Sequence, residues 1–179
     1  MKDFLKILLL GLTLAIFAVV SCFALAVVNN FTSPVIAAHK AEKTALGLKV
    51  VFPEADSFEE VKDFPAKSGS TEIMEVYTAI KNGEKAGTII KATGATYDKV
   101  VMLVGTDTNK KITGVMFLEN TDSPGFGQKA SEESFYGQFK GIDGTKPLIM
   151  GSDFEAISGA TITSKGIETI INNVLEVIK

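Results

Sequence analysis

Cysteine is all but missing from this chain. The single Cys22 lies inside an uncharged apolar run. A disulfide framework, a CxxC redox pair, a Cys-ligated iron–sulfur cluster and a Cys-based zinc site are therefore excluded within the chain. Histidine is equally scarce. His39 alone cannot assemble a metal centre, so no metal site is expected. Its Ala-, Lys- and Glu-rich helical setting marks it as a surface or half-buried residue. Concentrated positive charge is also lacking, with 18 basic side chains scattered among 21 acidic ones. That excludes a nucleic-acid partner, because a phosphate backbone demands a basic patch or stripe. No GxGxxG string is present, which argues against a dinucleotide site. No GxSxG elbow is present either, which leaves a serine hydrolase built on Ser158 without support.

What is present begins with a long apolar run. Ile7 to Val28 is 22 residues without a charge. As a helix it measures roughly 33 Å, enough to cross a bilayer. Lys2 and Lys6 precede it against a single Asp3. The positive-inside rule then puts residues 1–6 in the cytoplasm, the helix 7–28 across the membrane and the rest outside. The expected location is the cell membrane, single-pass. A cleaved signal peptide competes, but its apolar core would span about 7–15 residues. Lipidation at Cys22, after Val19-Val20-Ser21, is a second competitor. The apolar residues Phe23 to Val28 that follow speak against it. The lack of cysteine elsewhere suits an extracytoplasmic domain.

Asn29-Asn30 and Thr32-Ser33-Pro34 read as the end of the span, with Ser33 capping a second helix over residues 35–50. Residues 29–70 then form a helical and irregular lead-in, and residues 71–179 the main domain. Ile73–Ile80 and Lys85–Lys91 flank Asn82-Gly83, a hairpin signature. Ala92 to Thr96 reads as a turn. Lys99–Gly105 and Lys111–Leu118 form a second apolar pair around a polar turn. The intervals are too short for βαβ units, so the sheet is expected to be mainly antiparallel. Ser131–Lys140 reads as a short helix and Lys146–Met150 as a strand. Ile167, Ile170, Ile171, Val174, Leu175 and Ile178 recur at helical spacing, opposite Glu168, Asn172, Asn173 and Glu176. That is an amphipathic helix packed on a core. The fold class is α+β.

Two stretches carry chemistry. Ser158-Gly159-Ala160-Thr161-Ile162-Thr163-Ser164 is small and hydroxyl-rich, just ahead of the last helix. It can turn tightly and cap that helix through Thr163 or Ser164. It also brings hydroxyls and unpaired N–H groups to a helix N-terminus, where an anion is favoured. The second stretch is Glu119 to Gly127. Pro124, Gly125 and Gly127 shape a loop that holds Phe126 between the glycines. On composition alone Phe126 either faces a planar ligand or plugs the core, and the plug is the simpler reading.

Both stretches carry a resemblance. Ser158-Gly159-Ala160-Thr161-x-Thr163-Ser164 resembles the flavinylation motif of the FMN-binding G subunits of the Rnf ion-translocating electron-transport complex. Those subunits are related to the C subunits of the sodium-translocating NADH:quinone reductase. Asp122-Ser123-Pro124-Gly125-Phe126-Gly127 resembles that family's Glu-Thr-Pro-Gly-Leu-Gly loop. The family's acidic residue three places before the serine is Glu155 here, where aspartate is commoner. The resemblance covers nearly the whole chain, and its length favours the Rnf branch. It implies a curved, mainly antiparallel FMN-binding domain outside the membrane. It implies FMN joined covalently to Thr161 by a phosphodiester, installed by a flavin transferase that could recognise Glu155. It further implies a pocket shaped by residues 122–127 and 158–164, with hydroxyl bonds from Thr163 and Ser164. Other membrane subunits of an Rnf-type complex would be the partners, in an electron relay between ferredoxin and NAD. Two alternatives remain. One is a tethered covalent-flavin domain of another extracytoplasmic reductase or regulatory system. The other is a non-redox tethered binding module.

Overall fold

The computed structural model describes residues 2–178, the side chain of Lys2 excepted. Helix α1 runs unbroken from Lys2 to Val51. Residues up to Lys43 form one unit and Thr44 onward the other. In the first unit every described side chain is exposed, and the helix is long and apolar enough to cross a membrane. The stop expected at residues 29–34 does not occur, because Pro34 lies inside α1. A proline deletes one main-chain bond at a local cost of about 3 kcal/mol. The Ala-, Lys- and Leu-rich residues that follow are strong helix formers and carry the helix through.

The second unit is built on a six-stranded sheet in which all strand pairs are antiparallel. Its strands are β1 (Ser57–Val61), β2 (Lys67–Ser68), β3 (Thr71–Lys81), β4 (Glu84–Ala95), β5 (Lys99–Asp107) and β6 (Ile112–Asn120). They lie in the order β1-β3-β4-β5-β6, with β2 also on β3. The β3–β4 hairpin turns at Asn82 (φ 54°) and Gly83 (φ 82°). Two successive positive φ values are what a two-residue hairpin needs, and Asn-Gly adopts them at least cost.

Both faces of the sheet are covered. Helix α3 (Thr161–Val177) lays Ile167, Ile170, Ile171, Val174 and Leu175 on one face, against Ile90, Met102, Val104 and Phe117. The last turn of α1 and the residue after it lay Leu48, Val51 and Phe52 on the other, against Ile89, Val101, Leu103 and Leu118. This explains why β5 is buried continuously from Val100 to Thr106, with no polar alternation. Gly105 and Gly114 are cross-strand partners beneath α1. A Cβ on Gly105 would stand 2.5 Å from Val51 Cγ1, and one on Gly114 3.0 Å from Val51 O. The bare backbone lets the helix end approach the sheet.

Three local expectations are corrected. Ala92–Ala95 is not a turn, because β4 continues through it, pairing Thr93 with Val101 and Ala95 with Lys99. Gly94 stays in the strand because α3 presses on it: a Cβ there would meet Ile170 Cγ1 at 2.6 Å. Residues 131–140 are not one helix. They divide into a 3-10 turn Gly127–Ser131, the single turn α2 (Glu133–Tyr136) and a 3-10 turn Gly137–Phe139. Aromatic packing sets that path, since Phe135 and Phe139 meet Phe154 at ring separations of 6.1 and 4.8 Å. Residues 146–150 form no strand. Asn172 on α3 takes the place of a neighbouring strand there: its Oδ1 accepts from Leu148 N at 2.7 Å and its Nδ2 donates to Leu148 O at 3.0 Å.

Candidate functional site

The turn before α3 is built by its own backbone. Ala160 N donates to Ile157 O at 2.9 Å, and Gly159 takes φ +77°. The first helical bond is Ser164 N to Ala160 O, at 3.0 Å. Helix α3 therefore starts at Thr161, three residues earlier than a cap at Thr163 requires and four earlier than one at Ser164. The N-cap is Ala160, with no side-chain capping bond. Thr163 and Ser164 sit inside the first turn, and both are buried. Ser164 Oγ accepts from Ile157 N at 3.0 Å and donates to Ala160 O at 3.1 Å, stapling the turn. Thr163 Oγ1 donates to Asp122 Oδ2 at 2.6 Å. Both hydroxyls are committed to the protein.

Asp122 is a buried hub. Its Oδ1 accepts from Thr96 Oγ1 at 2.6 Å and from Asp98 N at 2.7 Å. The carboxylate thus joins the β4–β5 turn, the loop after β6 and the first turn of α3. Burial alone would push its pKa up. The bonds from Thr163, Thr96, Asp98 and Tyr97 outweigh that and hold it below the usual carboxylate range. Gly127 makes room for the hub, since a Cβ there would stand 2.6 Å from both Asp122 Cβ and Thr163 Oγ1.

Beside this hub lies a cleft of about 470 Å³. Ser123, Phe126 and Gly127 line one side, Gly159 to Thr163 the other, and Tyr97 completes it. Of the residues singled out from sequence, Ser123, Phe126, Gly127, Gly159, Ala160, Thr161 and Thr163 border it. Asp122, Pro124, Gly125, Glu155, Ser158 and Ser164 do not. Asp122 and Ser164 act behind the wall, whereas Glu155 and Ser158 are exposed elsewhere on the motif. Phe126 is not a core plug: it is 56 % exposed, and its ring packs over Gly159. Sequence reasoning missed Tyr97 and Ile162, exposed apolar residues at the same cleft. The available signal was an isoleucine off the apolar stripe of α3.

The chemistry of the cleft suits a planar ligand with a phosphate tail. The N–H groups of Thr161, Ile162 and Thr163 precede the first intrahelical donor, Ser164 N, so the helix itself does not satisfy them. Of the four hydroxyl residues in 158–164, Thr161 and Thr163 border the cleft, and of these two only Thr161 has, among the described residues, no hydrogen-bond partner for its hydroxyl. Apolar and aromatic surface from Tyr97, Phe126 and Ile162 surrounds it. No group of three or more His, Cys, Asp or Glu positioned for a metal occurs among the described residues.

Comparison with known proteins gives the family. Residues 96–176 match the family model described as an FMN-binding domain, and residues 1–51 match that of the RnfG N-terminal region. The G subunit of the ion-translocating oxidoreductase complex of Cereibacter sphaeroides is 32% identical over 171 residues, covering 88% of this chain and 77% of that one. The chain belongs to this RnfG family. Another relative is the G subunit of the Na(+)-translocating ferredoxin:NAD(+) oxidoreductase complex of Acetobacterium woodii. It is 29% identical over 186 residues, covering 94% of this chain and 89% of that one. The crystal structure of Shewanella oneidensis NqrC shares the fold, with a TM-score of 0.51 at 18% identity over 70% of this chain and 67% of that one. As a member of the family, the chain is a subunit of an ion-translocating oxidoreductase complex and not an autonomous enzyme. Its long apolar helix is consistent with a single-pass anchor.

Proposed function

We propose that this chain is the membrane-anchored flavin carrier of an Rnf-type complex. It bears FMN on Thr161 through a phosphodiester and relays electrons between neighbouring subunits on the route between ferredoxin and NAD. The observation that carries this reading is the contrast among the motif hydroxyls. Thr163 and Ser164 are spent on Asp122, Ile157 and Ala160, while Thr161 is free at the cleft. FMN, when bound, supplies reversible electron transfer.

The chain's own residues supply the rest. The unsatisfied N–H groups and the dipole of α3 favour a phosphate charge at Thr161. Asp122 fixes the first turn of α3 through Thr163, so the attachment point does not wander. Tyr97, Phe126 and Ile162 offer apolar surface that excludes water from a planar ring. A threonine hydroxyl is a poor nucleophile, and among the described residues no general base bonds Thr161. A separate flavin transferase with FAD as donor is therefore the expected installer. Glu155 and Ser158, exposed beside the motif, are available to it. Lys2 and Lys6 against Asp3 favour a cytoplasmic N-terminus, with the domain on the opposite side.

The test is the intact mass of the denatured protein beside a Thr161→Ala variant, both expressed in a host with active flavin transferase. An increment of one FMN less one water, lost in the variant, is the expected result. No increment on the native chain overturns the reading.

A further inference from the structure

A phosphodiester at Thr161 carries a negative charge, and the chain contains no arginine to meet it. The only lysine in α3 is Lys165, one turn after Thr161. Residues four apart on a helix share a face, and side chains lean toward the helix N-terminus. Lys165 and Thr161 thus share one face of α3.

A second observation concerns what holds this lysine. Glu168 is 6 % exposed, a carboxylate set among the buried positions of α3, where its neighbours Ile167, Ile170 and Ile171 are apolar. Its Oε2 lies 2.7 Å from Lys165 Nζ, an ion pair, and accepts no hydrogen bond of regular geometry among the described residues. A buried carboxylate is costly unless it is paired, so Glu168 keeps Lys165 where it is. An ammonium has three donors, and the contact with Glu168 is an ion pair rather than a regular hydrogen bond. The Lys165 side chain is 63 % exposed, which leaves its donors open to a second anion.

We propose that Lys165 is the side-chain counter-cation of the phosphodiester at Thr161, positioned for that task by the buried Glu168. The proposal rests on the reading of Thr161 as the attachment point. Lys165 bridges the two anions, and the charge of the bound phosphate is met by a lysine that the fold has already fixed.

The test measures proximity directly. The full chain, labelled with 15N at lysine Nζ and loaded with flavin, is reconstituted in a phosphorus-free glycolipid. Solid-state NMR then records dipolar dephasing of the phosphodiester 31P signal by lysine 15N. The expected result is a lysine nitrogen within about 4 Å of the phosphorus, as an N–H···O contact of roughly 2.8 Å implies. Lys165→Arg should keep the flavin mass increment and abolish the dephasing, because arginine carries no label. Glu168→Gln should weaken it. Dephasing absent from the native chain, or persisting in Lys165→Arg, overturns the role of Lys165. Undiminished dephasing in Glu168→Gln overturns the role of Glu168. A chain with neither flavin mass nor a phosphodiester signal instead overturns the attachment reading beneath both.

Discussion

Thr163 donates to Asp122 at 2.6 Å although 41 residues of sequence separate them. The bond ties the loop after β6 to the first turn of α3, and the same carboxylate takes Thr96 and Asp98 from the β4–β5 turn. Asp122→Ala leaves two hydroxyls and at least one N–H without their acceptor. The expected loss is about 2–4 kcal/mol, less than the sum of the separate bonds because the site relaxes. Urea unfolding of the variant beside the parent measures it. A midpoint within error of the parent would show that the hub does not brace the fold.

The same residue makes stability depend on acid. The folded-state pKa of Asp122 is depressed. Its contribution is therefore fully present above the unfolded-chain value, about pH 4 for an aspartate. It is lost as pH falls through the depressed folded value, since the unfolded chain takes up the proton first. Glu75 is shifted the same way: desolvation opposes the shift, but the bonds from Lys91 and Tyr77 prevail. Unfolding midpoints measured from pH 6 down to pH 3 should fall. Asp122→Asn should fall less steeply from its lower start, and parallel curves would contradict the assignment.

The two threonines of the motif should separate in a stability assay. Thr161 is exposed with an unbonded hydroxyl, so Thr161→Ala should change stability by less than about 0.5 kcal/mol while removing the attachment point. Thr163→Val removes a buried donor to a charged acceptor and should cost about 1.5–3 kcal/mol. Thermal melts of both, in unflavinylated protein, check the contrast without reference to redox function. Equal costs would mean that the two hydroxyls are not differently used.

A third site is the contact of α1 with the sheet. Gly105→Ala places a methyl 2.5 Å from Val51 Cγ1 and 2.6 Å from Thr113 Oγ1. Overpacking of this kind costs about 1–3 kcal/mol. Val51→Ala destabilises by itself through a cavity, yet it vacates the space the new methyl needs. The double variant should therefore be more stable than the sum of the two single losses predicts, a coupling that a double-mutant cycle in urea resolves.

Local pattern made some of this legible in the sequence. Asn82-Gly83 set the hairpin, and the spacing from Ile167 to Leu175 set the face of α3 that meets the core. The small-residue motif located the turn ahead of α3. What pattern could not carry was long-range. Nothing near Thr163 indicates that its partner is Asp122, and nothing near Asn172 indicates that it holds the backbone of Leu148. Pro34 misled for a related reason. A proline is a strong local stop signal, but its cost is one bond, and a long helix with good formers on its C-terminal side absorbs it.

Phe126 gives the last prediction. The loop holds it between Gly125, at φ +76°, and Gly127, and its ring lies over Gly159 with 56 % of the residue exposed. A large aromatic left that open costs apolar hydration unless something covers it. On the proposed reading, the isoalloxazine is that cover. Phe126→Ala should then leave the covalent mass increment intact, because Thr161 and its turn do not depend on the ring. It should raise flavin fluorescence and quenching by iodide, because one wall of the cleft is gone. Tyr97→Ala should act in the same direction. Unchanged fluorescence and iodide access in both variants would place the ring elsewhere and reduce the loop to a brace for Asp122.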